Sequence, residues 1–456
     1  MKTILAIACC VLFMTGCQAV DPSGEPPKVE GPPSELSVRS LDSSHVTLLW
    51  KNSDTPSGYV VEYSTDQVTF QQAVTQSANI DTVTYFTTLD PGLSYWFRAR
   101  AIVDGGLGTP SNTVRVHYRD SYFMVYLEPM GNDAFDVIDS YDGNGSAILA
   151  QSLDPNSAVF NDLGFYGDTL VVVGGFSSIG GVSAAGVAVW KGKWSELGSG
   201  IPNRVPLVMT VKDQSIYIAL SPMEFLSENT VIWNGSTFTP IASFSFSGGG
   251  DPTPGVVIGN RVYFAFYTGQ LDNAPQYTDV AIEAFEGSAN VPVQQPADVF
   301  LKMTNRTGIA EWSGNLYMTL SRFARYDPAP DTTMIRFDGA SWTVADVSGS
   351  KRSTFGLVSW NGSLYTSIID WDSTGDVAAS SLVKWSGTQW IVEHSSPDFY
   401  YGLWSTPDGV LVGSRTDSSS VIERYDGTSW TTLRTFPEIV YVRRIVRKVS
   451  WVWEKP

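Results

Sequence analysis

Val187-Ala-Val-Trp190-Lys-Gly192-Lys-Trp194-Ser-Glu-Leu197 carries the fold in miniature. Gly192 stands two residues after one aromatic and two before another. Short apolar runs flank it on both sides. That is the pattern of a tight hairpin, with Gly supplying positive φ and the aromatics packing at the strand ends. The unit returns as Ile232-Trp-Asn-Gly-Ser-Thr-Phe238, Ala284-Phe-Glu-Gly287, Arg336-Phe-Asp-Gly-Ala-Ser-Trp342, Lys384-Trp-Ser-Gly-Thr-Gln-Trp390 and Arg424-Tyr-Asp-Gly-Thr-Ser-Trp430. A seventh copy is Ser140-Tyr-Asp-Gly143. The landmark aromatics Tyr141, Trp190, Trp233, Phe285, Phe337, Trp385 and Tyr425 are 40 to 52 residues apart. This is the period of a four-stranded propeller blade.

A second motif, a polar turn followed by a short apolar strand, precedes most landmarks. It reads Gly167-Asp-Thr-Leu-Val-Val-Val173, Asp213-Gln-Ser-Ile-Tyr-Ile218, Gly259-Asn-Arg-Val-Tyr-Phe264, Ser313-Gly-Asn-Leu-Tyr-Met318, Asn361-Gly-Ser-Leu-Tyr-Thr366 and Pro407-Asp-Gly-Val-Leu-Val412. Each blade is therefore two hairpins. Ile445-Val-Arg-Lys-Val-Ser-Trp-Val-Trp453 reads as a last inner hairpin with no outer one after it. The copy at Tyr141 is an outer hairpin with no inner one before it, although Tyr122-Phe-Met-Val-Tyr126 is open to reading as an inner strand there. The economical expectation is that the two chain ends complete one blade, giving seven and removing open sheet edges.

Composition agrees with an all-β chain. The 456 residues are 43% hydrophobic and only 16% charged, with 41 Gly, 15 Trp and 20 Tyr, which suits many strands and turns. A chain of this length holds more than one domain. The net charge of -17 argues against nucleic acid and against adhesion to anionic headgroups, since both need a basic footprint. Cys9, Cys10 and Cys17 are the three cysteines. A body without cysteine has no disulfide, thiolate metal site or thiol nucleophile.

The N-terminus reads as an address. Met1-Lys2-Thr3 is basic, and Ile4 to Met14 is apolar but too short to span a bilayer. Met14-Thr15-Gly16-Cys17 then resembles a bacterial lipoprotein signal, with Met14 where that family usually has Leu. The resemblance implies a signal peptide over 1–16 and acylation of Cys17, which would hold the chain to a membrane through its lipid. Gln18 rather than Asp implies the outer membrane. Residues 17–33 are rich in Pro, Gly and acidic side chains and read as a tether.

From 34 to 119, strand-like runs alternate with turns at sandwich spacing: Leu36-Ser-Val38, His45 to Trp50, Gly58 to Tyr63, Thr82 to Leu89, Ser94 to Val103 and Asn112 to Tyr118. The span resembles a fibronectin type III domain. Trp50 falls at that family's core Trp, Leu89-Asp-Pro-Gly-Leu-Ser-Tyr95 at its Tyr corner, and Gly108-Thr-Pro-Ser-Asn112 at the turn into its last strand. The expected role is a spacer. Residues 120–456 form the repeat region. Leu170-Val-Val-Val-Gly-Gly-Phe-Ser-Ser-Ile-Gly-Gly181 and the hairpin after it resemble bacterial kelch-like propeller repeats, which occur in secreted and surface proteins. The fold class expected is all-β: a fibronectin type III sandwich plus a seven-bladed β-propeller.

Chemistry is sparse. Copper-radical oxidase chemistry, known in relatives of kelch propellers, needs a Cys and His ligands. The histidines are His45, His117 and His394, and His394 alone lies in the repeat region. A His-based triad there has no basis. Sialidase-type chemistry needs converging arginines and Asp boxes, and here Gly directly follows Asp in the hairpins. Asp370-Trp-Asp372-Ser-Thr374-Gly375-Asp376 places oxygen side chains at alternate positions around a turn, as a Ca²⁺ loop does. Asp370, Asp372, Thr374 and Asp376 are thus the candidate metal ligands, although Ser381 stands where the closing Glu belongs; a solvated turn is the competing reading. No other cofactor is expected. Arg443, Arg444, Arg447 and Lys448 are the one basic cluster, read as pairing with acidic neighbours rather than as an anion site.

These features lead to a lipid-anchored protein of the bacterial outer membrane whose propeller binds a protein or glycan without catalysis. The loops Phe176 to Val182, Gln270 to Tyr277, Arg322 to Asp331 and Asp370 to Asp376, on one face, are its candidate contacts. A carbohydrate-active propeller enzyme is the alternative, and an envelope scaffold a third. Two carboxylates with an Arg or Tyr in the central channel would favour the enzyme.

Overall fold

The computed structural model describes residues 32–455, apart from 42–44, 52–55, 79–80, 87–88, 91–92, 131–132, 144, 153–158, 222–228, 243–251, 272–273, 296–307, 320–330, 349–351 and 373–375. The signal segment, Cys17 and nearly all of the tether lie outside the described residues. Every described regular element is a strand. The chain divides into two compact units, 1–119 with 449–456, and 120–448.

The first unit is a two-sheet sandwich. Ser34–Leu41, His45–Lys51 and Thr82–Phe86 form one sheet. Gln71–Ser77, Gly58–Ser64, Ser94–Val103 and the start of Val114–Met130 form the other, with Gly106–Pro110 paired to Ser94–Val103. Alternation in Ser94–Val103 puts Tyr95, Phe97, Ala99 and Ala101 inward. They pack with Leu36, Leu48, Trp50, Tyr59 and Val116. Trp50 is buried and meets Tyr59 edge to face at 5.3 Å. The Tyr corner forms: the Asp90 amide donates to the Tyr95 phenol at 2.8 Å. Asn112 clamps the first strand, accepting from Leu36 N and donating to Leu36 O. Removing one such bond costs about 1 kcal/mol. Tyr95→Phe is therefore expected to lower protection of the Asp90 amide roughly fivefold, read by hydrogen exchange.

The strands Gln71–Ser77 and Gly106–Pro110 were not expected from sequence. The first is a polar, largely exposed strand at a sheet edge, and the second is Gly- and Pro-containing. Neither carries an apolar alternation that would announce it.

The second unit is a β-propeller. Six four-stranded antiparallel meanders follow one another at 159–196, 206–242, 256–291, 309–348, 352–396 and 399–436, blades 1 to 6. The seventh blade joins both chain ends. Asp133–Tyr141 and Ser146–Gln151 are its outer strands, Val114–Met130 its second and Tyr441–Glu454 its innermost. All seven aromatic-x-Gly units are the turns between third and fourth strands. Gly143, Gly192, Gly235, Gly287, Gly339, Gly387 and Gly427 all have positive φ. The aromatics face each other across these hairpins. Trp190 and Trp194 are 5.2 Å apart, Phe337 and Trp342 5.0 Å, and Trp385 and Trp390 5.0 Å.

One expectation is corrected here. Ile445 to Trp453 is not a hairpin. It lies within one continuous strand, Tyr441–Glu454, so the C-terminus gives the closing blade a single strand. Tyr122 to Tyr126 lies in the second strand and pairs with Val137 to Tyr141. Residues 449–456 group with the sandwich rather than with the propeller.

Blades are held together by apolar layers and by indoles. Val171, Val173, Met209, Ile216, Ile218 and Trp233 fill the layer between blades 1 and 2. Strands buried on both faces read as continuous apolar runs such as Leu170 to Val173. Trp312 Nε1 donates to Gly362 O of the next blade at 2.8 Å, and Trp360 Nε1 donates to Pro407 O at 3.3 Å.

Candidate functional site

The innermost strands of blades 3 to 7 line a central channel of about 840 Å³. Their packing is close. A Cβ on Gly308 would lie 2.1 Å from Leu357 N of the next blade. Gly356 has φ +68° and sits against Leu403 of the next. Any larger residue at either position would push neighbouring inner strands apart.

Most of this lining is backbone and aliphatic side chain, and the titratable groups are few. Glu311 is the carboxylate among the lining residues. It accepts the Gly314 amide at 2.7 Å and so closes its own turn. Tyr401 lines the wall, and burial pushes its phenol above the usual tyrosine range. Arg443, Arg444 and Arg447 are the cations of the lining among the described residues.

Each guanidinium meets a carboxylate. Arg443 lies 2.9 Å from Asp136 and also donates to Phe160 O. Arg444 lies 3.2 Å from Asp162. Arg447 grips Asp120 with two bonds and reaches Asp408 at 2.9 Å. Lys448 meets Asp168 at 3.3 Å. The basic cluster therefore pairs with acidic neighbours, as its sequence suggests. Asp136 and Asp162 are almost fully buried, and burial pushes both carboxyls up from the ordinary Asp range, with the arginines pulling the other way. Both also accept backbone amides of the following blade, Phe160 N for Asp136 and Met209 N for Asp162. The channel-lining arginines thus reach outward to two carboxylates that are not themselves part of the lining and that are bonded across blade seams.

Topology puts the four expected loops on one face. Each joins the second and third strands of a meander, and these connections emerge at the same end as the links between blades. The loop from Phe176 to Val182 folds inward: Phe176 and Ile179 are buried, and Phe176 meets Phe160 at 5.6 Å. Within Gln270 to Tyr277 the side chains lie outside the described residues, and so does nearly all of Arg322 to Asp331. Asp370 belongs to the strand Ser363–Trp371. Asp372 accepts the Asp376 amide at 3.0 Å, and its own amide donates to Asp376 O. That is an Asx-type turn. Thr374 lies outside the described residues. Among the described residues no three His, Cys, Asp or Glu side chains form a metal-holding group. His394 is tied up locally, 2.8 Å from the Tyr400 phenol and with its ring tilted against Trp430 at 4.6 Å.

The same face carries a cluster that sequence reasoning missed. Phe355, Phe399, Tyr401 and Tyr441 lie in the first few residues of the innermost strands of blades 5, 6 and 7. Arg415 ends the second strand of blade 6 and lies 4.8 Å and 5.2 Å from the ring centres of Phe399 and Tyr441. In sequence these aromatics look like the core aromatics that recur in every blade.

Residues 31–117 match the fibronectin type III domain family. No curated protein matches the chain by sequence. Among solved structures, an oligogalacturonate lyase from Vibrio parahaemolyticus is similar at 10% identity and TM-score 0.43, covering 68% of this chain and 85% of that one. An ulvan lyase bound to a GlcA–Rha3S unit is 13% identical over 60% of this chain and 82% of its own, with TM-score 0.39. The propeller domain of the Trilobed protease from Pyrococcus furiosus is 8% identical over 89% and 95%, with TM-score 0.32. The chain therefore joins a fibronectin type III domain to a seven-bladed β-propeller.

Proposed function

We propose that this is a lipid-anchored protein of the bacterial outer membrane whose propeller binds a partner without catalysis, with the fibronectin type III domain as spacer. The anchor is Cys17 and the partner is a glycan or protein met at the loop-bearing face. One observation supports the non-catalytic reading: among the described residues the channel lining offers one carboxylate, Glu311, which accepts the amide of its own turn, and no histidine beside it. Acid–base chemistry needs a group within reach of the reacting atom and with a pKa near working pH.

Incubation of the full chain with neutral and acidic envelope polysaccharides is expected to yield no new reducing ends and no unsaturated products. Their appearance at a rate that scales with protein would overturn the reading and establish the carbohydrate-active enzyme instead. For the anchor, Cys17→Ser is expected to release the chain from the membrane fraction. Retention of that variant in the membrane fraction would remove the lipid from the account. Protease digestion on intact cells, against cells with a permeabilised outer membrane, assigns the exposed side.

A further inference from the structure

The aromatic cluster at the channel mouth has the chemistry of a ligand subsite. Phe355 and Phe399 meet edge to face at 5.5 Å, and Tyr401 and Tyr441 at 5.8 Å. Arg415 joins the two pairs, its guanidinium flanked by the Phe399 and Tyr441 rings. It also donates to the Tyr441 phenol. Phe355 and Tyr401 line the channel, while Tyr441 keeps 39% of its surface exposed. A partly exposed ring already held by a neighbouring guanidinium and a second ring stacks a ligand with little further loss of side-chain freedom.

We infer that Tyr441, Phe399 and Arg415 form a stacking subsite for a neutral oligosaccharide whose end enters the channel. This rests on the non-catalytic binding reading and names its ligand class. Three arguments select the sugar. The cavity, about 840 Å³, falls in the roughly 300–1,000 Å³ range of small-ligand pockets and cannot admit a folded protein surface. A hexose offers an apolar C–H face to an exposed ring and hydroxyls to guanidinium N–H donors. The net charge of -17 repels a polyanionic chain at long range, and the channel arginines are already matched by Asp136, Asp162 and Asp120.

The test is calorimetric titration of the full chain with hexasaccharides of β1,4-linked glucose, mannose and N-acetylglucosamine. A galacturonate hexamer and a neutral hexapeptide serve as contrasts. The expected result is binding of at least one neutral sugar, weakened at least tenfold by Tyr441→Ala and less than twofold by Tyr441→Phe, which keeps the ring. Thermal unfolding shows whether each variant is folded; if Tyr441→Ala is not, Arg415→Met takes its place, with the same tenfold loss expected. Sugar binding that survives these substitutions would overturn the subsite while leaving the binding reading intact. Binding of the hexapeptide or the galacturonate hexamer alone would overturn the neutral-sugar assignment, as would binding of nothing. Cleaved sugar in the cell would instead sink the non-catalytic reading itself.

Discussion

Asp162→Ala is expected to destabilise the propeller by about 3–5 kcal/mol, the cost of breaking a largely buried ion pair and removing the acceptor of two backbone amides. Asp162 sits on the innermost strand of blade 1, Val159–Tyr166, with its side chain only 2% exposed. One carboxylate oxygen accepts Leu163 N at 2.8 Å and the other accepts Met209 N of blade 2 at 2.9 Å. Arg444, 3.2 Å away, comes from the closing strand. One side chain thus ties blades 7, 1 and 2. Truncation strands a guanidinium and two buried amides at once. Urea unfolding of the full chain checks the size. Adding Arg444→Leu to the Asp162→Ala variant is expected to restore part of the loss, because the stranded charge goes with it. A double-mutant cycle with no coupling would show that the pair does not hold the seam.

Glu283→Gln is expected to raise stability by up to about 3 kcal/mol at pH 8 and to change it little at pH 4. Glu283, on the third strand of blade 3, is 1% exposed. Among the described residues its one hydrogen bond comes from the Thr230 hydroxyl to Oε2 at 3.1 Å, and its buried Oε1 accepts none. Burial pushes its carboxyl from 4.5 up to about 7. Below the unfolded value of 4.5 both states hold the proton and the group costs nothing. As pH rises between 4.5 and 7 the unfolded chain releases its proton first, so stability falls. Above about 7 the buried site must ionise as well, and the full cost is present. Gln keeps the shape and removes that dependence. Melting temperatures of both proteins from pH 4 to pH 8 test it. Parallel curves would place Glu283 with an ordinary carboxylate pKa.

The repeat was legible because its signal is local. An aromatic, a polar residue and a Gly within four positions specify a hairpin whatever surrounds it. Asp426 shows why: its carboxylate accepts Thr428 N and Ser429 N, so the turn caps itself. The fibronectin features were legible for a related reason, since the Tyr95 phenol closes on Asp90 only five residues upstream. The closing strand was misread for the opposite reason. The Arg447-Lys448 pair looks like the polar apex of a turn. Yet Arg447 bonds Asp120, 327 residues away in sequence, so its polarity is satisfied inside the sheet. The proposed subsite was hidden in the same way. Tyr441, Phe399 and Arg415 lie in three separate strands, and nothing in their neighbours along the chain distinguishes them from core residues.

Sequence by itself determined the all-β class, the sandwich and its Tyr corner, the number of outer hairpins, the acidic charge balance and a chain with only three histidines and three cysteines. These follow from composition and from contacts a few residues apart. Tertiary structure alone decided that the C-terminus contributes one innermost strand, that the arginines are spent on aspartates distant in sequence, and that an aromatic cluster forms beside the channel. Each of those depends on strands brought together only when the blades close into a ring, and no local preference encodes which distant partner a buried charge or ring will meet.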